Sequence, residues 1–302
     1  MSRIRIAFLL TLYGNIEQAN MFIKQLLEYE GSYIFIHVDK KAENIKKDIL
    51  KDERVQIMPK SLLVEWGDFS QTESTYELMK YANKSGKFDY YSVHSGSDLA
   101  IKSVRAFADF LENDNKYAYT ICDRLPEKTW QYGGGLGRIA LKWPKCFRRK
   151  YSCHHPMRYL RSLYGKAYGA HIIKGKKLPQ NITFYGRSDW YTLRNDCVDY
   201  LINYVENHPD YVDLFRDSLI GSEIFFTTVV HMNNKQKGNI VSDNDLRYID
   251  FNNVDKSTPG SPKLLRSEDY DSIMRSDKFF ARKFDIRVDR EVVDNIIRAV
   301  KE

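Results

Sequence analysis

The chain has 302 residues, 43% apolar and 29% charged, enough to bury a sizeable core in one large domain or two small ones, which excludes a disordered chain. Its net charge is +7, and the cysteines at 122, 146, 153 and 197 form no Cys-x-x-Cys pair and no regular spacing, so neither a disulfide framework nor a thiolate zinc site is indicated. The apolar opening Ile6–Leu10 is too short for a membrane span and lacks a signal-peptide cleavage site, so a soluble, cytoplasmic chain is expected.

In chain order, "RIAFLL" (5–10) and "YIFIHVD" (33–39) read as buried strands. Between them, apolar residues at 16, 19, 22, 23, 26 and 27 have helical spacing, and Asn15 with Gln18 has the pattern of a capping box. "RVQIM" (54–58), a helix from about Ser70 to Ser85, "FDYYSVH" (88–94) and a helix from Ser103 to Glu112 continue the alternation. The pattern predicts a mostly parallel sheet flanked by helices. Ligands of such sheets bind beyond the carboxyl ends of the strands, here His37 to Asp39 and His94 to Asp98. From about 120 to 180 the alternation dissolves, then resumes with "DWYTL" (189–193) and a helix near 195–207. No linker or internal repeat divides the chain, so a single domain over 1–302 is expected, with a nucleotide-binding half to about 120 and a basic, acceptor and catalytic half after it.

Between Glu127 and Asp189 there is no acidic residue and 14 cationic ones, leaving 33 basic against 40 acidic residues elsewhere. The segment 128–188 is suited to meeting anions, or is a solvated face that keeps the protein soluble. Cys146, Cys153, His154, His155 and His171 lie close together without metal-ligand spacing. "GGGLG" (133–137) has neither the preceding strand nor the following helix of a phosphate loop, and reads as a flexible turn.

The stretches "IAFLLTLYGNIEQANMFIKQLL", "YIFIHVDKKA", "VEWGDFSQTESTYELMKYA", "DYYSVHSGSDLAIKS", "FYGRSDWYTL", "LRYIDF" and "SDKFFARKFD" occur in the order found in the core-2/I-branching β-1,6-N-acetylglucosaminyltransferase family, which includes the peptide O-xylosyltransferases. The resemblance runs from about Ile4 to Asp285. It implies a GT-A-type nucleotide-sugar fold, an inverting transferase, and catalysis without a divalent metal, so no cofactor beyond the UDP-sugar substrate.

The resemblance also makes Glu223, in Ile220-Gly221-Ser222-Glu223, the catalytic base, although the three preceding residues depart from the family's Ser-Pro-Asp-Glu. Inversion at the sugar C1 requires a group that takes a proton from the attacking hydroxyl, and the apolar run after Glu223 is expected to raise its carboxyl pKa. The alternative is a partly exposed surface glutamate. Departure of a nucleoside diphosphate leaves negative charge that cations must neutralise when no metal does. Arg282 and Lys283 in "FFARKF" are placed for that, Lys283 at the family's diphosphate-binding position, with Lys263 in "SPKLL" as the nearest companion. A lysine snorkelling to solvent is the alternative for Lys283.

"DND" (243–245) is literally an Asp-x-Asp but lies after the base, where turn formation explains it more simply. The resemblance points to Asp39 as a uridine or ribose contact, and its strand-end position independently favours a polar role. Asp98 either joins the site or holds its loop by side-chain to backbone bonds. Trp190 and Phe251 are candidates to stack on a sugar ring, with core packing the alternative for both.

The expected activity is transfer of a sugar, foremost N-acetylglucosamine, from a UDP donor to a glycan hydroxyl, in bacterial surface polysaccharide or glycolipid synthesis. A lipid-linked oligosaccharide at the inner membrane face is the expected acceptor, with the basic segment resting on anionic lipid and no nucleic-acid partner. Alternatives are transfer of xylose or another UDP-linked sugar, and a non-enzymatic protein that binds nucleic acid or membrane through residues 128–188.

Overall fold

The computed structural model describes residues 4–252 and 261–301. Seven strands form the main sheet: β1 (Ile6–Leu12), β2 (Ser32–Val38), β3 (Val55–Ile57), β4 (Tyr90–Ser95), β6 (Ala118–Arg124), β7 (Tyr185–Arg194) and β8 (Ile240–Val241). Their order is β3-β2-β1-β4-β7-β6-β8, and β7 alone runs against the rest. A second sheet joins β5 (Asp98–Ala100), β10 (Phe280–Arg282) and β9 (Arg247–Ile249) in the order β5-β10-β9. The α/β class with a mostly parallel central sheet is therefore the one read from the alternation, and strands from both halves of the chain share one sheet.

β1 reads as an unbroken apolar run because it is central and covered on both sides. Ile6, Phe8, Leu10 and Leu12 join a cluster with Phe22, Phe107 and Phe280, while Ala7 and Leu9 join another with Phe35, Tyr91 and Phe225. The helices Ile16–Leu27, Phe69–Ser85, Val104–Asp114 and Asn195–Asn207 fall within two residues of their predicted bounds. β6 and the helix Pro156–Gly169 arise inside or beside the stretch where no alternation was visible. Among the described residues, no helix is long and apolar enough to cross a membrane.

The capping box at Asn15 does not form. Asn15 adopts a left-handed φ of 46° and makes no side-chain cap. Gln18 is buried instead, donating to the carbonyls of Gly96 at 3.1 Å and Phe284 at 3.0 Å and accepting from the Ile286 N–H at 2.9 Å. Buried amide groups need such partners, and these pin the chain that follows β10 to the first helix. The antiparallel pairing of β10 with β5 sets Arg282 opposite Asp98, which brings the distant "FFARKF" segment to the end of β4.

Candidate active site

Glu223 lies in the first turn of the helix Ser222–Met232, where the unpaired N–H groups of a helix start favour a carboxylate. β7 fixes this helix closely. Thr227 and Thr228 bond the backbone of Tyr185, and a Cβ at Gly186 would fall 2.8 Å from the Glu223 carbonyl oxygen. The Glu223 side chain is one-quarter exposed and forms an ion pair with Arg138, which donates through Nη1. Its surroundings are therefore not purely apolar. The counter-charge missing from nearby sequence arrives from 85 residues away.

Arg138 reaches Glu223 by way of the glycine turn. Gly133, Gly134 and Gly135 have φ of 66°, 67° and 90°, a region costly for residues with a Cβ, and a Cβ at Gly134 would lie 2.5 Å from Pro126. The short helix Gly137–Ala140 then presents Arg138, whose guanidinium lies 4.4 Å over the Trp130 ring and whose carbonyl accepts from the Leu219 N–H at 2.9 Å. "GGGLG" is thus a turn that aims an arginine.

Asp189, which sequence periodicity does not mark, adjoins Trp190. Its carboxyl is pushed up to about 7, first by burial and next by the negative charge of Glu223, against the pull of Arg282 and Arg138. Gln71 donates to its Oδ2 at 2.9 Å, the Ser222 side chain also bears on the carboxyl, and the buried Oδ1 has no hydrogen-bond partner within 3.5 Å among the described residues. Asp189 thus lies within electrostatic reach of both the proposed base and the proposed leaving-group cations.

The Arg282 guanidinium stacks on Trp190 at 3.7 Å, so one face of that ring is occupied by a cation. Arg282 is buried, with Nε 3.7 Å from Asp98 Oδ1, and its Nε and Nη1 have no hydrogen-bond partner among the described residues. Two buried guanidinium donors left unpaired are costly unless something accepts from them. Lys283 follows directly, its pKa lowered by burial and by the neighbouring Arg282. Asp98 has no exposed surface and sits among His94 at 3.2 Å, Arg282 at 3.7 Å and Arg247 at 3.9 Å. Burial alone would push its carboxyl up, yet the Arg282 and Arg247 charges and the His94 bond hold it down at about 2. It also accepts from Ser95 Oγ at 2.8 Å, so it both holds its loop and anchors the cations.

Lys263 lies two residues before Leu265, whose N–H donates to the Lys283 carbonyl at 2.9 Å. The Lys263 Nζ pairs with Asp269 at 2.7 Å and Glu268 at 3.2 Å, so its charge is already balanced locally. Asp39 is buried at the end of β2, where its side chain accepts from the Lys41 N–H at 2.9 Å and caps the next turn. Phe251 is 59% exposed, which removes core packing as its role. Asp245 is buried, accepting from Ser188 Oγ at 3.2 Å and from the Arg247 N–H at 3.2 Å, as a turn residue would. Among the described residues, no group of three or more His, Cys, Asp or Glu is arranged to hold a metal ion.

Residues 6–274 match the Core-2/I-Branching enzyme family. The chain belongs to that family. Similar relatives include Xylosyltransferase oxt of Drosophila melanogaster, 26% identical over 314 residues, covering 96% of this chain and 33% of the relative. Xylosyltransferase 1 of Homo sapiens is 21% identical over 312 residues, covering 97% and 30%. The chain thus spans about a third of the length of these family members. Among solved structures, mouse xyloside xylosyltransferase 1 in its apo form overlaps with a TM-score of 0.36 at 10% identity over 91% of this chain and 97% of that one. Core-mannan synthase A from Aspergillus fumigatus, in its Mn/GDP form, overlaps with a TM-score of 0.36 at 13% identity over 78% and 71%. The β3-β2-β1-β4 block is parallel throughout and is extended by β7, β6 and β8, the α/β arrangement that the resemblance implies.

Proposed function

We propose that the protein transfers a sugar from a UDP donor to a glycan hydroxyl with inversion, without a divalent metal. The observation that carries this reading is Arg282, a buried guanidinium with two unpaired donors, stacked on Trp190 and followed by Lys283. Such an arrangement suits the β-phosphate of a departing nucleoside diphosphate, whose negative charge the two adjacent cations stabilise. Glu223 acts as the base. The acceptor hydroxyl attacks C1 from the face opposite the nucleotide, its proton passes to the Glu223 carboxylate, and the C1–O bond breaks toward UDP.

N-acetylglucosamine is the donor sugar we favour, on the motif order. The similarity to xylosyltransferases favours UDP-xylose as a second reading. The acceptor is a surface polysaccharide or lipid-linked oligosaccharide of a bacterial envelope. The first test is calorimetric binding of UDP, with wild-type protein and Arg282→Ala, followed by turnover with UDP-N-acetylglucosamine and UDP-xylose in excess EDTA. The reading expects UDP binding that Arg282→Ala weakens, and turnover that survives chelation. UDP binding unchanged in Arg282→Ala removes the leaving-group site, and turnover restored only by manganese removes metal independence.

A further inference from the structure

The helix Pro156–Gly169 turns an apolar stripe toward solvent. Tyr159, Leu160 and Leu163 share one face at helical spacing and are 62%, 51% and 66% exposed, and Ile172 just beyond the helix is 77% exposed. The opposite face is the packed one. A Cβ at Gly165 would meet the Tyr132 ring at 2.0 Å, and Arg161 is buried with bonds to the carbonyls of Phe147 and Arg149. A helix on a water-facing surface normally reverses this pattern, with polar residues outward.

The stripe lies within the acid-free segment. Four of its arginines are engaged by the fold: Arg138 with Glu223, Arg148 with Asp68 and Asp217, Arg187 with Asp123, and Arg161 with carbonyls. Lys142, Lys145, Arg149, Lys150, Lys166 and Lys174 are exposed and make no ion pair among the described residues.

We propose that this helix and the exposed cations of the same segment dock the protein on an anionic lipid surface, the leucines and Ile172 entering the headgroup boundary and the cations meeting lipid phosphates. Charge and apolar surface together select this occupant. A second copy would bring the same uncompensated cations face to face, and a nucleic acid offers nothing apolar for Leu160, Leu163 and Ile172 to bury against. An interfacial helix on anionic lipid uses both. The proposal does not rest on the transferase reading.

The test is sedimentation with vesicles of phosphatidylcholine alone and of phosphatidylcholine mixed with phosphatidylglycerol, using the full chain. Wild-type protein is expected to bind the anionic vesicles at low salt, to bind the neutral ones far less, and to be released as salt rises, since exposed charges are screened over about 10 Å at 0.1 M. Leu160→Asp/Leu163→Asp is expected to lower the partition coefficient by at least about tenfold with circular dichroism unchanged. As a second measurement that does not depend on losing binding, Leu163→Trp is expected to shift its fluorescence to the blue on anionic vesicles only. Glu223→Gln should bind vesicles as the wild type does, which separates this outcome from that of the transfer reaction. Equal retention on neutral vesicles, no loss in the double variant, or an unshifted Leu163→Trp spectrum overturns the proposal. A dimer in sedimentation velocity that the double variant abolishes also overturns it, assigning the face to a second copy.

Discussion

Arg138 and Glu223, 85 residues apart in the chain, share an ion pair at the entrance of the helix Ser222–Met232. Arg138 is held by Trp130 on one side and by the carboxylate on the other, so its removal takes away a charge-assisted bond and a ring contact together. Arg138→Ala is expected to destabilise the fold by about 1–3 kcal/mol and to lower kcat more than it changes UDP affinity. Chemical denaturation and calorimetry check both. Wild-type stability and kcat would show that the pair is incidental.

Asp189 gives a pH signature. Its folded-state pKa is raised to about 7 from an ordinary carboxyl value of 3.8. Between those values the folded state holds a proton the unfolded state has released, so this group's contribution to stability falls as pH rises from about 4 to 7. Asp189→Asn keeps the neutral form at every pH. The variant is expected to gain thermal stability over wild type at pH 8 and little at pH 4. Parallel melting curves across that range would contradict the assignment.

The buried cations yield a contrast between two lysines. Lys283→Ala is expected to weaken UDP binding by about 10–100-fold and to slow turnover as well, because its charge acts on both bound and leaving diphosphate. Lys263→Ala should leave UDP affinity unchanged, since Asp269 and Glu268 already neutralise it. Titration calorimetry on the two variants distinguishes them, and equal losses would show that Lys263 holds the diphosphate together with Lys283.

Asp98 supports that group from behind. Removing one partner of a buried ion pair leaves the others uncompensated, and here the Arg282 and Arg247 guanidinium groups both face it, with neutral His94 bonded to it. Asp98→Asn is expected to cost about 3–5 kcal/mol at neutral pH. Because the carboxyl is held at about 2, below its ordinary 3.8, the stabilisation is present above pH 4 and is lost as pH falls toward 2. An Asp98→Asn protein as stable as wild type at pH 7 in urea would show that the cluster is not an electrostatic anchor.

Sequence periodicity revealed the strands and helices of the sheet because each buries one repeating apolar pattern. β1, β2 and β4 were visible as apolar runs and the helix Phe69–Ser85 as a regular segment. Tertiary pairings left no such trace. Gln18 looked like a cap because its spacing from Asn15 is local, while the partners that claim it, Phe284 and Ile286, lie more than 260 residues away. Glu223 likewise has no cation close by in sequence, and Arg138, which pairs with it, lies 85 residues away. Motif order placed Arg282 and Lys283 together, but the Trp190 stack and the Asp98 anchor depend on β10 pairing with β5. Short local signals do mark the remaining site residues: an aspartate beside Trp190 in "GRSDW", and an arginine directly after "GGGLG".

The central claim is that the Glu223 carboxylate takes the acceptor proton, and the direct measurement is turnover by Glu223→Gln beside its affinity for UDP. Glutamine keeps the size and can still bond Arg138 but accepts no proton. The account predicts a loss of about 10²–10⁴ in kcat with UDP affinity within a few-fold of wild type. A folded Glu223→Gln enzyme that turns over near the wild-type rate would contradict it and leave the carboxylate as no more than the partner of Arg138.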